Sequence, residues 1–362
     1  MEHKTIVVGM SGGVDSSVAA LLLKRQGFNV IGAFMKNFSD TKNPLTGECA
    51  WKEEKRMAER IAAILGIPLV IFDFEKEYKS KVINPMFRDY KKGLTPNPDI
   101  LCNKIIKFPL FWKKAKTLGA DFIAMGHYAR IKKTPDGFEL LKGKDAQKDQ
   151  SYFLCSLSQS DLSHTLFPLG NFTKAEVREI AKRNNLPNWN KQGTRGICFV
   201  GKIKIKPFLE KKIKNKKGRI LSPEGNLLGC HPGVSYFTIG QKVQDSFGLI
   251  IQKPKQFAQK RYYIVEKRKP NTIIAAPENH PSLLKHEVMI HRFHKISPKE
   301  KIPHFGLTAR IRHLGQLHKG ALSKKSGKYV FRFAKPVKAV AEGQSIVIYF
   351  GNIVIGGGEI RL

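Results

Sequence analysis

One short stretch constrains the fold more than any other. GMSGGVDSS, residues 9–17, joins an apolar run TIVVGM (5–10) to an amphipathic run VDSSVAALLLKRQG (14–27). The first run is short enough for a buried strand, and the second reads as a helix that closes at a C-cap glycine, Gly27. Strand, glycine turn and helix in that order lead into a crossover and a parallel neighbour. Ser11, Gly12 and Gly13 leave the loop's N–H groups free to turn inward. The helix N-terminus adds the positive end of its dipole, which makes an anion site of pyrophosphate size. The Gly-Lys-Ser/Thr ending of a Walker loop is missing, and so is the GxGxxG spacing of a dinucleotide fold.

The alternation continues through the first two hundred residues. A strand is expected over 29–35, a helix over 51–66 ending at Gly66, a strand over 67–74, helical stretches at 87–92 and 105–118, and a strand over 120–126. That β-α-β-α rhythm predicts an α/β class, with a Rossmann-like parallel sheet covered by helices on both faces. TPDG (134–137) reads as a hairpin turn, and Thr173 with Glu176 has capping-box spacing. Beyond about residue 200 the texture changes to short β-rich runs separated by Pro, Gly and Lys. A β-barrel or sandwich is expected from about 280 to the end. The expected division is 1–200, a smaller middle unit 201–278 of unassigned class, and 279–362.

Charge narrows the partners. The 64 Lys and Arg against 29 Asp and Glu leave +35. Such an excess repels itself unless it faces a polyanion, with nucleic acid first and an acidic membrane surface second. The Lys-rich run 202–219 reads as a phosphate-tracking surface or as a solvated helix face. With 41% hydrophobic residues the chain is no disordered polycation. No run approaches the roughly 18 apolar residues of a membrane span. A strand beginning a few residues after Met1 leaves no room for a targeting peptide, so a cytoplasmic location is expected. Five cysteines without a CxxC argue against a disulfide framework or a zinc ribbon. His291 and His294, spaced HxxH in a strand-like run, are not read as a metal site.

Two cysteines stand in special settings. LTPNPDILCNKIIKF (94–108) reads as a stiff, non-helical, proline-held loop that presents Asp99 and Cys102 just before a helix. The dipole there favours a thiolate, and Asp99 is placed to shuttle a proton or to accept a hydrogen bond. A small buried hydrophobe is the equal alternative for this cysteine. Cys198 lies in the glycine-flanked run GTRGICFVG (193–201), where a core position is the plainer reading. Cys49, Cys155 and Cys230 read as structural.

SGGVDSS resembles the PP-loop of ATP pyrophosphatases, which split ATP between its α and β phosphates. Set beside it are FMKNF (34–38), LTPNPDILCN (94–103), GHYAR (126–130), KDQSYFL (148–154), GICFVG (196–201), FTIGQ (237–241) and the closing GQSIVIYFGNIVIGGGEI. Together they resemble the tRNA-specific 2-thiouridylase family (MnmA), nearly end to end and in order. The resemblance implies a PP-loop domain, a small central domain and a C-terminal β-barrel. It implies ATP contacts at Gly9, Met10, Ser11, Gly12, Gly13, Val14, Asp15, Ser16, Met35 and Gly126. Magnesium would arrive with ATP, through Asp15, and no permanent metal site is implied. Asn97, Pro98 and Asp99 would meet the target base, with His127 nearby. Lys148, Asp149, Gln150, Arg312, His313 and Gln344 would touch tRNA. Cys102 takes the nucleophile role and Cys198 the persulfide role, with a sulfur-relay protein or cysteine desulfurase as donor. The implied reaction adenylates the 2-carbonyl of the wobble uridine and replaces its oxygen with sulfur. Three positions depart from the family pattern: Gly193-Thr194-Arg195 before GICF, Met125 for a usual threonine, and His313 for a usual aromatic. Rival readings are a PP-loop ligase without thiol chemistry, whether amidotransferase-like or lysidine-forming, and a non-catalytic RNA-binding scaffold.

Overall fold

The computed structural model describes residues 4–40, 49–192, 205–243 and 261–362. Its first unit carries β1 (Thr5–Gly9), β2 (Asn29–Lys36), β3 (Leu69–Asp73), β4 (Phe122–Ala124), β5 (Ala129–Thr134), β6 (Gly137–Lys142) and β7 (Thr165–Leu166). Five of these form a parallel sheet in the order β3-β2-β1-β4-β7. Period-two alternation builds a core on each face. Ile6 and Val8 pack with α1 (Val14–Arg25) and α2 (Ala50–Leu65), whereas Val7 points into the other core, with side chains from the helical segments between 75 and 116. From β1 the chain builds outward to β2 and β3, then returns to β4 on the other flank. The carboxyl end of β1 is thus the switch point, where an open parallel sheet leaves a crevice for a ligand.

The proline segment differs from its expected form. Asn97 is an N-cap whose side-chain oxygen accepts from the Ile100 N–H at 3.3 Å, and the helix Pro98–Cys102 follows at once. Asp99 and Cys102 therefore lie within the helix, not in a loop ahead of it. Proline at the first helical position gives up an N–H that would have no partner there, so it starts a helix instead of preventing one. The helix continues through a π-helical turn, Asn103–Leu110, into Phe111–Lys116. Pro109 sits inside that wider turn.

The middle unit is a four-stranded sheet, β10-β11-β8-β9, of β8 (Gly218–Leu221), β9 (Leu227–His231), β10 (Tyr262–Arg268) and β11 (Thr272–Pro277). In the Lys-rich run the helix Ile205–Glu210 buries Phe208 and Leu209. The last six strands are β12 (Leu284–Lys295), β13 (Leu307–Arg310), β14 (His318–Lys325), β15 (Lys328–Lys338), β16 (Ser345–Phe350) and β17 (Ile353–Arg361). They run β12-β15-β14-β13-β16-β17, and β17 pairs back onto β12, so this is a closed antiparallel barrel and not a sandwich. Val288, Ile290, Phe331, Ile346, Ile348 and Ile360 fill it. The β5–β6 hairpin of the first unit joins the barrel's sheet: Leu141 pairs with Ile353, and the Lys142 N–H donates to Asn352 O at 2.9 Å.

Candidate active site

At the carboxyl end of β1 the loop closes on itself. The Ser11 N–H donates to Ser16 Oγ at 3.1 Å, and the Ser16 and Ser17 hydroxyls each donate to Gly13 O at 3.0 Å. Gly12 has φ +69°, and a Cβ there would come within 2.4 Å of the Glu54 carbonyl oxygen, so only glycine fits. Buried Asn188, 176 positions along the chain, donates to Gly12 O at 3.1 Å and Ser17 Oγ at 3.0 Å. Gly126, just past β4, approaches the start of α1 so closely that a Cβ would lie 2.9 Å from Ser16 N. Met35 and Met125 flank Gly9. The loop residues, Met35 and Gly126 thus meet at the switch point.

Asp15 is the loop's one carboxylate. A single oxygen, Oδ1, accepts from the Tyr128 hydroxyl at 2.7 Å and pairs with Lys174 Nζ at 2.5 Å. Burial, with the Asp15 charge behind it, pushes the Tyr128 hydroxyl far above its usual range, so it remains a donor. His127 is buried between the rings of Phe108 and Phe167, with centroids 5.8 and 5.9 Å away. Burial, helped by Lys107, holds it well below the ordinary histidine value, so it is neutral.

Cys102 has no exposed surface and packs in the same apolar core as Met35, Met125, Ile106 and Phe108. Of the two readings of this cysteine, the burial fits the small buried hydrophobe. The loop ahead of its helix is gripped from outside the first unit. Thr95 N–H donates to Glu342 O at 2.9 Å, Gln344 Nε2 donates to Thr95 O at 3.0 Å, and the Thr95 and Thr238 hydroxyls lie 3.3 Å apart. Gln344, expected at the RNA, is in this arrangement a loop tie.

The KDQ stretch divides by residue. Lys148 and Arg312 are exposed. Asp149 is 1% exposed and pairs with Arg310 at 2.7 Å, also accepting the Gly143 and Ser151 N–H groups. Its expected RNA contact is replaced by a tie between the first unit and the barrel, because an inward carboxylate with three donors has no face left for a phosphate-bearing ligand. Gln150 Oε1 accepts from the Tyr128 N–H at 3.0 Å. The His313 ring lies against that of Phe153, centroids 4.3 Å apart and planes tilted by 36°, and burial pushes it down to about 4. Cys198, with Gly193, Thr194 and Arg195, lies outside the described residues. Among those described, no group of three metal-ligating side chains occurs.

Three family models match in succession: tRNA methyl transferase HUP domain over residues 4–202, tRNA methyl transferase PRC-barrel domain over 206–277, and aminomethyltransferase beta-barrel domain over 285–360. The chain is 42% identical to tRNA-specific 2-thiouridylase MnmA 1 of Geobacillus kaustophilus, across 99% of this chain and 96% of that one. It is also 42% identical to tRNA-specific 2-thiouridylase MnmA 2 of Aliarcobacter butzleri, across 99% and 98%. The chain belongs to the tRNA-specific 2-thiouridylase (MnmA) family. A solved 4-thiouridine synthetase–RNA complex with bound ATP shares 19% identity over 57% of this chain and 50% of that one, at a TM-score of 0.37. Three features of this MnmA-family site escape a reading of the sequence: Lys174 on Asp15, Asn188 under the loop, and Thr238 against Thr95. The capping box 173–176 marks where Lys174 would fall, but no local pattern says that it reaches Asp15.

Proposed function

We propose that this chain is a tRNA 2-thiouridylase, an ATP-dependent sulfurtransferase that converts the wobble uridine of tRNA to 2-thiouridine, releasing AMP and pyrophosphate. The observation that carries the proposal is the placement of the phosphate loop. It lies at the sheet's switch point, flanked by Met35 and Met125, which share one continuous core with Cys102. Cys102 packs on the Val7 face of that sheet, and α1, which the loop begins, packs on the opposite face, so loop and thiol flank the same strand ends. The units are read as 1–200 for ATP and thiol chemistry, 201–278 as the central unit and 279–362 as an RNA-contacting barrel, in a cytoplasmic protein. No helix among the described residues is long and apolar enough to cross a membrane.

The 2-carbonyl oxygen attacks the α-phosphorus of ATP and displaces pyrophosphate. The loop N–H groups and the α1 dipole stabilise the charge that leaves. Asp15 offers a hard carboxylate oxygen of the kind that holds magnesium together with substrate phosphates. The terminal sulfur of a Cys198 persulfide then attacks C2 and expels AMP. The Cys102 thiolate attacks Cys198 Sγ, which leaves sulfur on the base and a Cys102–Cys198 disulfide for a thiol reductant to open. A relay protein or cysteine desulfurase reloads the persulfide. The base is splayed into the site beside Asn97, Pro98 and Asp99, as chemistry on a base demands. Exposed Lys148 and Arg312 face the RNA backbone.

Incubation with ATP, a persulfide donor and unmodified tRNA, followed by mass analysis of the nucleosides, tests the reading. A 2-thiouridine that requires ATP and both cysteines is the expected product. A methylated uridine formed from a methyl donor, or a lysine adduct, would overturn it.

A further inference from the structure

Leu314 stands where a turn asks for glycine. In the segment joining β13 to β14 the Gly315 N–H donates to Arg312 O at 3.1 Å, and Leu314, the third residue of that turn, has φ +54°. Any residue with a Cβ is disfavoured there. Among the described residues Asn185, Arg292, Ser326 and Ala339 share a positive φ, and none of these is large and apolar. Packing does not offset the strain, since Leu314 is 44% exposed. A strained residue held by its surroundings is a reason to look for function.

Its surroundings are those of the target base. His313, one residue back, has its ring against Phe153, whose carbonyl accepts from Asn103 Nδ2 at 2.9 Å, directly after Cys102. Tyr152 meets the Asn97 side chain and donates its hydroxyl to Ser345 O at 2.7 Å. Two exposed cations stand beside the turn: Arg312 within it, and Lys148, close enough to bear on His313. An exposed apolar side chain on a stiff mount thus lies between phosphate-binding groups, one layer of rings away from residues 97–103.

We propose that Leu314 is a wedge, which enters the anticodon-loop stack in the space the wobble uridine vacates and keeps that base out while it reacts. This rests on the 2-thiouridylase reading above and adds the group that holds the stack open. A wedge of this kind must be apolar, exposed and rigidly carried, and Leu314 is all three. Arg312 and Lys148 grip phosphates beside the opened step.

Unmodified tRNA carrying 2-aminopurine as the 3′ neighbour of the wobble uridine reports the vacated stack as a rise in fluorescence. With the full-length wild type the signal rises and 2-thiouridine forms. Leu314→Gly removes the strain together with the side chain, so it melts no earlier than wild type. It binds tRNA within about threefold, loses most of the fluorescence rise, and thiolates with kcat lowered by about tenfold or more. Leu314→Met keeps most of both signals. A leucine that only shaped the turn would leave Leu314→Gly fully active. Leu314→Gly that unstacks and thiolates like wild type overturns the wedge alone, and so does a loss confined to KM for tRNA. A loss seen only when a relay protein, and not a small persulfide, supplies the sulfur makes Leu314 a protein contact and overturns the wedge as well. A wild type that makes no 2-thiouridine overturns the parent reading and the wedge with it.

Discussion

The Gln344 side chain donates its amide N–H to the Thr95 carbonyl, 3.0 Å away and 249 positions earlier in the chain. Lys267 of the central unit adds a second hold, donating to Gly93 O at 2.8 Å. The loop that enters the Asn97–Cys102 helix is therefore steered from both other units. If RNA binds the barrel as proposed, these hydrogen bonds link it to the helix that carries Cys102.

If Gln344 acts through that loop, Gln344→Ala will lower kcat for thiolation more than it changes KM for tRNA. The lost hydrogen bond itself is worth about 1 kcal/mol. Steady-state kinetics separate the two outcomes, since a direct RNA contact would raise KM instead.

Breaking the Asp149–Arg310 pair strands a buried guanidinium. Asp149→Ala should cost about 3–5 kcal/mol of folding stability, read by urea unfolding. Replacing Lys148, exposed next to it, should leave stability within about 0.5 kcal/mol while weakening tRNA binding.

Gly12→Ala meets both a positive φ and the Glu54 carbonyl. The backbone term alone is about 1–2 kcal/mol. The expected result is a folded chain with nucleotide affinity lost, checked by ATP titration beside a thermal melt.

Acid lability follows from buried neutral histidines. Burial takes His231 and His313 each down to about 4, from an ordinary value near 6.5. Between those values the unfolded chain takes up protons that the folded chain refuses, so stability falls as pH drops from about 6.5 to 4 and levels off below. His313→Phe, which keeps an aromatic ring against Phe153, should flatten part of that slope in melts taken across the window.

Thiol reactivity should follow cover. Burial pushes Cys155 up to about 12, and Cys102 has no exposed surface, whereas Cys230 lies on the surface. Peptide mapping after brief alkylation should find Cys230 modified and Cys102 and Cys155 protected. Adding tRNA with ATP should expose Cys102 selectively if the steering loop opens; continued protection would sink that coupling.

Much of the frame was legible locally. The β1 loop, the Gly66 stop, the TPDG turn and the Thr173 capping box each depend on neighbours within a few residues, and each formed as read. What escaped depends on partners far away. β14, HKGALSKK, carries little apolar alternation and is a strand because β13 and β15 pair with both its edges. The proline segment misled because Pro98 falls at the one helical position where proline is welcome. Asp149 and Asp15 look like exposed acids in the sequence. The first is turned inward by Arg310, 161 positions on, and the second is clasped by Lys174 at a separation of 159.

The borrowed hairpin has a consequence for how the molecule would respond to a cut. Leu141 on Ile353, Arg310 on Asp149 and Gln344 on Thr95 are all non-covalent, and all bridge across the central unit. A protease nick between the first and last units would sever the polypeptide without parting the halves. The two fragments should co-purify and complement each other, while the last unit made by itself would carry an orphan charge and a bare strand edge.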